Sequence, residues 1–341
     1  MIEDTAAVLH GPRDVRIGAV ARDAVRPGQV RVEIRGVGLC GSDLHYFADG
    51  RNGSNVVSQP TVLGHEGFGV ITETGPGVPA DRIGERVAIE PAAPCLRCPT
   101  CLAGRYNVCP HGTCLGSPPT HGLLRASAVL PAQFAHPLPD SVPDAVASLV
   151  EPLAVACWAV DRVSPLAGRR VLVTGAGPIG LATLQAALAE GAAEVVVSDV
   201  VESRLRAASD LGATVVVVAG EGDVEPVDVA LECSGSAAAL KTAANSLRPG
   251  GVLGLVGVHS GAEAVFPVQL LQRWELDVRG CFRYGPGAFR TAISWLARAR
   301  VDLAPLVTAR FPLAESARAL ELALADRSQL KVVIDGSKGN S

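Results

Sequence analysis

Along the first half of the chain the apolar positions come in short runs interrupted by Gly and Pro. Residues 29–35 (Gln-Val-Arg-Val-Glu-Ile-Arg) and 67–72 (Gly-Phe-Gly-Val-Ile-Thr) are examples. Strands this short, with turn residues between them, predict a barrel-like all-β unit. Near Ser164 the pattern changes. Residues 170–174 form a buried-strand run, followed by a glycine turn and an Ala/Leu-rich helix through Ala189. A strand over 194–198, a helix carrying Arg204 and Leu205, and strands over 215–218, 227–231 and 251–256 continue the alternation. That alternation predicts a doubly wound parallel sheet. Further on, the pattern predicts helices over 287–299 and 315–325, and strands over 306–311 and 331–334. The last strand is expected to return to the first domain, so that residues 1–154 and 288–341 make one domain and 155–287 the other.

Composition narrows the class. The 341 residues are 48% hydrophobic and 19% charged, which supports a large core and argues against disorder. A net charge of −4 gives no reason to expect nucleic acid or an anionic membrane as partner. The acidic opening Met-Ile-Glu-Asp has no signal-peptide pattern, and no apolar stretch reaches membrane-spanning length. Five of the nine cysteines fall in metal-ligand patterns, and with no secretory context a reducing cytoplasm is the expected location.

Gly175-Ala-Gly177-Pro178-Ile179-Gly180 follows a predicted strand directly and opens a helix, the context a dinucleotide fingerprint requires. The glycines permit a tight turn and close approach of backbone to a pyrophosphate, and the helix N-terminus supplies unpaired N–H groups. Asp199 closes the next strand, 24 residues after Gly175. Its carboxylate suits a ribose diol and repels a 2′-phosphate, so NAD is expected over NADP, although nearby Arg204 is able to tolerate a phosphate.

Two clusters carry metal-ligand chemistry. Cys95, Cys98 and Cys101 are spaced Cys-x-x-Cys-x-x-Cys, and Cys109 follows after seven intervening residues. Four thiolates in one loop of low apolar content read as a closed tetrahedral zinc site with a folding role. The second cluster is dispersed: Cys40, Ser42, Asp43, His45 and Tyr46, then His65 and Glu66, then Glu151. Cys, His and carboxylate suit a zinc with one open position. Taken singly, His65 also reads as a packed core histidine and Glu151 as a charge at a helix N-terminus. Cys114, Cys157, Cys233 and Cys281 match no ligand position and read as small buried residues.

With these motifs in order, the chain resembles the zinc-dependent medium-chain alcohol dehydrogenase superfamily along essentially its whole length. Within it the resemblance is to the polyol branch, typified by sorbitol dehydrogenase. Tyr46 directly follows His45, Glu151 stands in Glu-Pro-Leu-Ala where other alcohol dehydrogenases of the family place a cysteine, and Phe282-Arg283-Tyr284 follows the nucleotide domain's last strand. The loop 116–122 also resembles the polyol enzymes' substrate side. One feature departs: some animal sorbitol dehydrogenases lack the four-cysteine cluster, which is complete here and is shared with bacterial polyol, sugar-acid and threonine dehydrogenases.

The resemblance implies a GroES-like β-rich catalytic domain and a Rossmann domain. It implies two zinc ions per chain. Cys40 and His65, with Glu66 as a direct or switching ligand and Glu151 binding zinc or its water, would form the catalytic site. Cys95, Cys98, Cys101 and Cys109 would form the structural one. Ser42 and His45 would relay a proton, Asp43 would orient His65, and Tyr46, Arg283 and Tyr284 would touch substrate. Gly175, Gly177, Pro178, Ile179, Gly180, Asp199, Arg204, Val256, Gly257, Val258 and Phe282 would line the NAD site. The implied reaction oxidises a polyol's secondary alcohol to a ketose, in a homodimer or homotetramer. The alternatives are a sugar-acid 5-dehydrogenase of the L-idonate type, whose substrate carboxylate Arg283 would suit, an L-threonine 3-dehydrogenase, and a catalytically silent NAD-binding structural or regulatory protein.

Overall fold

In the computed structural model, residues 2–222, 224–259 and 263–336 are described. They divide into two compact units: the first comprises 1–151 and 306–341, the second 152–305.

The first unit is built on a seven-stranded sheet. Its central strand Gln29–Gly38 pairs antiparallel with Glu66–Thr74, with Ser127–Pro131 and with Lys331–Asp335. Inward Val30, Val32, Ile34 and Val37 join Leu63, Ile71, Val87 and Leu130 in one core. Glu3–Gly11, Asp14–Ala21 and Thr61–Val62 form a smaller antiparallel sheet. The expected final strand is present, and it returns to this unit in the register Val333 opposite Gly38. That register brings Lys331 beside the chain leaving the central strand, where Leu39 N–H donates to Val332 O.

The second unit holds six parallel strands in the spatial order Val215–Val218, Glu194–Asp199, Arg170–Thr174, Val227–Glu232, Leu247–Leu255, Asp277–Gly280. Reading these in sequence gives the order 3-2-1-4-5-6, which places a topological switch point between Arg170–Thr174 and Val227–Glu232. The helix Pro178–Ala189 is apolar almost all round, as a helix covered on both sides must be.

The return to the first unit comes later than the expected boundary at 288. The helix Ala288–Ala297 belongs to the second unit. It packs there through Phe289, whose ring meets Tyr284 edge-on at 4.8 Å. The amphipathic period predicts such a helix but carries no information on which core its apolar face joins. The helix Val150–Val163 carries Glu151 in its first turn, the helix N-terminal position that the sequence also allowed.

Candidate active site

The cysteine lobe is assembled from a loop with little to bury. Leu96, Leu102 and Val108 are all exposed. The short helical turn Pro99–Leu102, capped by Cys98, carries Cys101, and the turn Tyr106–Val108 leads into Cys109. Cys95 and Cys109 lie 3.5 Å apart, Cys98 and Cys101 3.5 Å, Cys98 and Cys109 3.9 Å, and Cys95 and Cys101 4.0 Å between sulfurs. A tetrahedral zinc with Zn–S bonds of about 2.3 Å requires sulfurs about 3.8 Å apart, so the four thiols fit it. The backbone N–H of Arg97 heads the interactions that lower the Cys95 thiol to about 6. Glu90, buried in the first unit, anchors the lobe: Tyr106 Oη donates to one of its oxygens at 2.7 Å, and His136 Nε2 lies 2.7 Å from the other.

The second donor set forms where the central strand ends. Cys40 caps the helix Gly41–Asp49, which Gly50 closes in the left-handed region. Asp43 sits at the third helical position, wholly buried, and accepts the N–H groups of Cys40 and Gly64 at 3.0 Å each. It thereby fixes both ligand-bearing segments. Its oxygen lies 3.7 Å from His65 Nδ1. Burial works against the Asp43 carboxylate, but His65 and the two N–H groups outweigh it and hold its pKa below the ordinary range. Burial likewise opposes charge on His65, and Asp43 and Cys40 together raise its pKa well above that of free imidazole. Surroundings that favour a proton there also favour a divalent cation.

The donor atoms of Cys40, His65 and Glu66 all lie within 4.8 Å of one another, close enough to share one metal ion. Glu151 is buried but falls outside this cluster. The sequence reading missed Lys331. It is 2% exposed, and its Nζ donates to both oxygens of Glu66 at 2.7 and 2.6 Å and to Leu39 O at 2.9 Å. One ammonium thus ties the residue before Cys40 to the residue after His65. Burial disfavours its charge, yet Glu66, Cys40 and Glu151 raise its pKa. No local pattern marks it: it stands at the head of an apolar strand, 265 residues from its partner.

Ser42 is partly buried and His45, one turn on, is exposed. Two of the residues expected to touch substrate are buried. Tyr46 is 2% exposed and packs in the first unit's core beside Phe47, and Tyr284 is fully buried in the second unit. Arg283 is partly buried, with its guanidinium 4.8 Å over the exposed Phe282 ring.

In the second unit, the glycine turn has the close packing that a dinucleotide fingerprint needs. Gly175 adopts φ +92°, and a Cβ on Gly180 would fall on the Gly175 carbonyl. Pro178 and Ile179 open the helix. Asp199 Oδ2 accepts the Ala176 N–H at 2.6 Å and Oδ1 the Val201 N–H at 2.8 Å, so its carboxylate is held against the turn. Arg204 Nη1 would lie 3.8 Å from a Cβ added at Gly177. Val256, Gly257 and Val258 leave the carboxyl end of Leu247–Leu255, with Val258 exposed.

Comparison with known proteins agrees with both units. The alcohol dehydrogenase GroES-like domain matches residues 26–140, and the zinc-binding dehydrogenase family matches 178–298. Sorbitol dehydrogenase of Bacillus subtilis is 37% identical over 340 residues, 96% of each chain. The rat sorbitol dehydrogenase is 40% identical over 334 residues, covering 94% of this chain and 93% of its own. The crystal structure of L-idonate 5-dehydrogenase from Escherichia coli superposes with a TM-score of 0.93 at 32% identity, covering 98% of each chain.

Proposed function

Since the chain belongs to the zinc-dependent medium-chain alcohol dehydrogenase superfamily, we propose that it oxidises a secondary hydroxyl of a polyol to a ketone with NAD as hydride acceptor. The observation that carries this reading is the mixed donor set of Cys40, His65 and Glu66, one thiol, one imidazole and one carboxylate within reach of a single ion. When bound, zinc supplies the Lewis acidity that acidifies a substrate hydroxyl, and NAD supplies the hydride acceptor. Cys40 and His65 hold the metal. Asp43 orients His65, and the Lys331–Glu66 pair fixes the strands that present both ligands. Glu151, outside the tight cluster, completes the ligand set or holds its water.

Ser42 takes the proton released by the substrate and His45 passes it to solvent, which suits their partly buried and exposed positions on one helical face. Asp199 accepts from the adenosine ribose and favours NAD over NADP. Gly175, Gly177 and Gly180 cradle the pyrophosphate, and Arg204, Val256–Val258 and Phe282 line the dinucleotide. The four cysteines of the lobe hold a second, structural zinc. The parallel sheet ends on Asp277–Gly280, whose outer side pairs with no described strand, and this supports a homodimer or homotetramer.

A sugar-acid substrate is the second reading. It is favoured by Arg283, whose guanidinium suits a carboxylate, and by the structural likeness to L-idonate 5-dehydrogenase. The deciding experiment measures NADH formation across polyols and aldonates, with zinc quantified in the same sample. Turnover of polyols at two zinc per chain supports the proposal. Turnover of aldonates alone transfers it to the second reading, and zinc-loaded protein inactive on both classes refutes it.

A further inference from the structure

Glu232 ends the central strand Val227–Glu232 and has no exposed surface. Its Oε1 accepts from Ser234 N at 2.7 Å, Ser234 Oγ at 2.5 Å and Gly235 N at 3.0 Å. Its backbone carbonyl accepts the N–H groups of Val256 and Gly257 at 2.9 and 2.8 Å. The other carboxylate oxygen, Oε2, faces His259 Nε2 across 3.4 Å. That nitrogen is shielded from water, and among the described residues the Glu232 carboxylate is its one charged partner.

Three loops meet at this carboxylate. The turn 233–236 is folded onto it directly. The segment 256–259 is tied to it at one end by backbone bonds and at the other by His259. The glycine turn rests against the same knot, since a Cβ on Gly175 would lie 2.9 Å from the Ser234 side chain, and Cys233 N–H donates to Thr174 O. The fit is close: a Cβ on Gly257 would lie 2.2 Å from Gly235 N and 2.7 Å from Glu232 Oε2. These loops leave the carboxyl ends of adjacent strands at the switch point, where doubly wound sheets bind their ligands. A buried carboxylate is a costly way to hold a turn, and apolar packing would serve fold stability better. What the carboxylate adds is directional: it fixes several N–H groups and one imidazole relative to each other before any ligand arrives.

We propose that Glu232 and His259 form a clasp that preorganises the dinucleotide site, making both of them positioning residues for NAD. This rests on the NAD reading above. The pair sets how tightly the dinucleotide binds and takes no part in metal binding or polyol recognition. His259 is partly exposed, so its replacement spares the core.

The test is equilibrium binding of NADH, read by fluorescence on the zinc-loaded full chain, for wild type, His259→Ala, His259→Gln and Glu232→Gln. His259→Ala is expected to weaken NADH about tenfold, the scale of one charge-assisted contact. It should raise KM for NAD while kcat at saturating NAD, KM for polyol and zinc content stay within about twofold. His259→Gln, which keeps an N–H donor, should recover most of the affinity, and Glu232→Gln should fall between the two. Unchanged NADH affinity in His259→Ala overturns the clasp. So does a loss that His259→Gln fails to rescue while the thermal midpoint falls in step. If wild type binds NADPH and not NADH, the cofactor reading fails separately, and the same variants on NADPH then decide the clasp by the same criteria.

Discussion

Replacing Lys331 by Met removes the cation and leaves the Glu66 carboxylate where it is. Both side chains are buried, at 2% and 0% exposure, and the ammonium engages both oxygens. The uncompensated charge costs about 3–5 kcal/mol, far more than the pair itself contributes over an apolar substitute. Loss of the Leu39 carbonyl's partner adds to it in the same direction. Urea unfolding of the zinc-free protein, in which no bound ion offsets the Glu66 charge, followed by circular dichroism, is the assay. At a slope of about 3 kcal/mol per molar urea, the midpoint of the first unit's transition should fall by about 1–1.7 M. Combining Lys331→Met with Glu66→Gln removes the stranded charge and should restore more than half of the loss. A fall under about 0.3 M, or a double variant no better than the single, refutes the reasoning.

Other outcomes follow from the remaining sites. Cys109→Ser breaks the tetrahedral set, so metal analysis should show one zinc lost per chain and limited proteolysis should cut within 94–112. Tyr106→Phe removes a 2.7 Å bond to Glu90; it should cost about 1–2 kcal/mol and speed chelator extraction of the lobe zinc, measured with a chromogenic chelator. Asp199→Ser should raise KM for NAD about tenfold or more and narrow the preference over NADP, read as the ratio of kcat/KM values, because it removes both the ribose acceptor and the repulsion of a 2′-phosphate.

Chemistry compressed into a local segment was legible in the sequence. The cysteine lobe spans fifteen residues from Cys95 to Cys109, so spacing alone brings its sulfurs together. The glycine turn and Asp199 belong to one βαβ unit, whose strand–helix alternation announces the parallel sheet. Two of the buried residues that position the sites, one at the metal cluster and one at the dinucleotide turn, gave no such signal. Lys331 heads a strand that otherwise reads as plain Val-Val-Ile, and Glu232 ends one that reads as Val-Asp-Val-Ala-Leu; their partners arrive through sheet register and strand-end loops, which spacing does not encode. Tyr46 was read by resemblance as a substrate contact; its burial beside Phe47 in the first unit's core was not read from the sequence. The later boundary, after 305, has the same origin: periodicity finds the helix Ala288–Ala297 but is silent on which core receives it.

The strand Lys331–Asp335 completes a sheet whose other members, apart from its neighbour Val307–Pro312, precede residue 138. All of 152–305 is synthesised in between. During translation, the nucleotide unit is therefore the first part of the molecule able to reach its finished form, despite coming second along the chain. The earlier segment must wait with the carboxylate of Glu66 lacking its ammonium and the Gly36–Gly38 end of the central strand lacking one of its two neighbours. Maturation of the metal centre is thus gated by chain order, and a nascent chain stalled before residue 331 would carry every candidate zinc ligand and still lack the side chain that holds two of them in register.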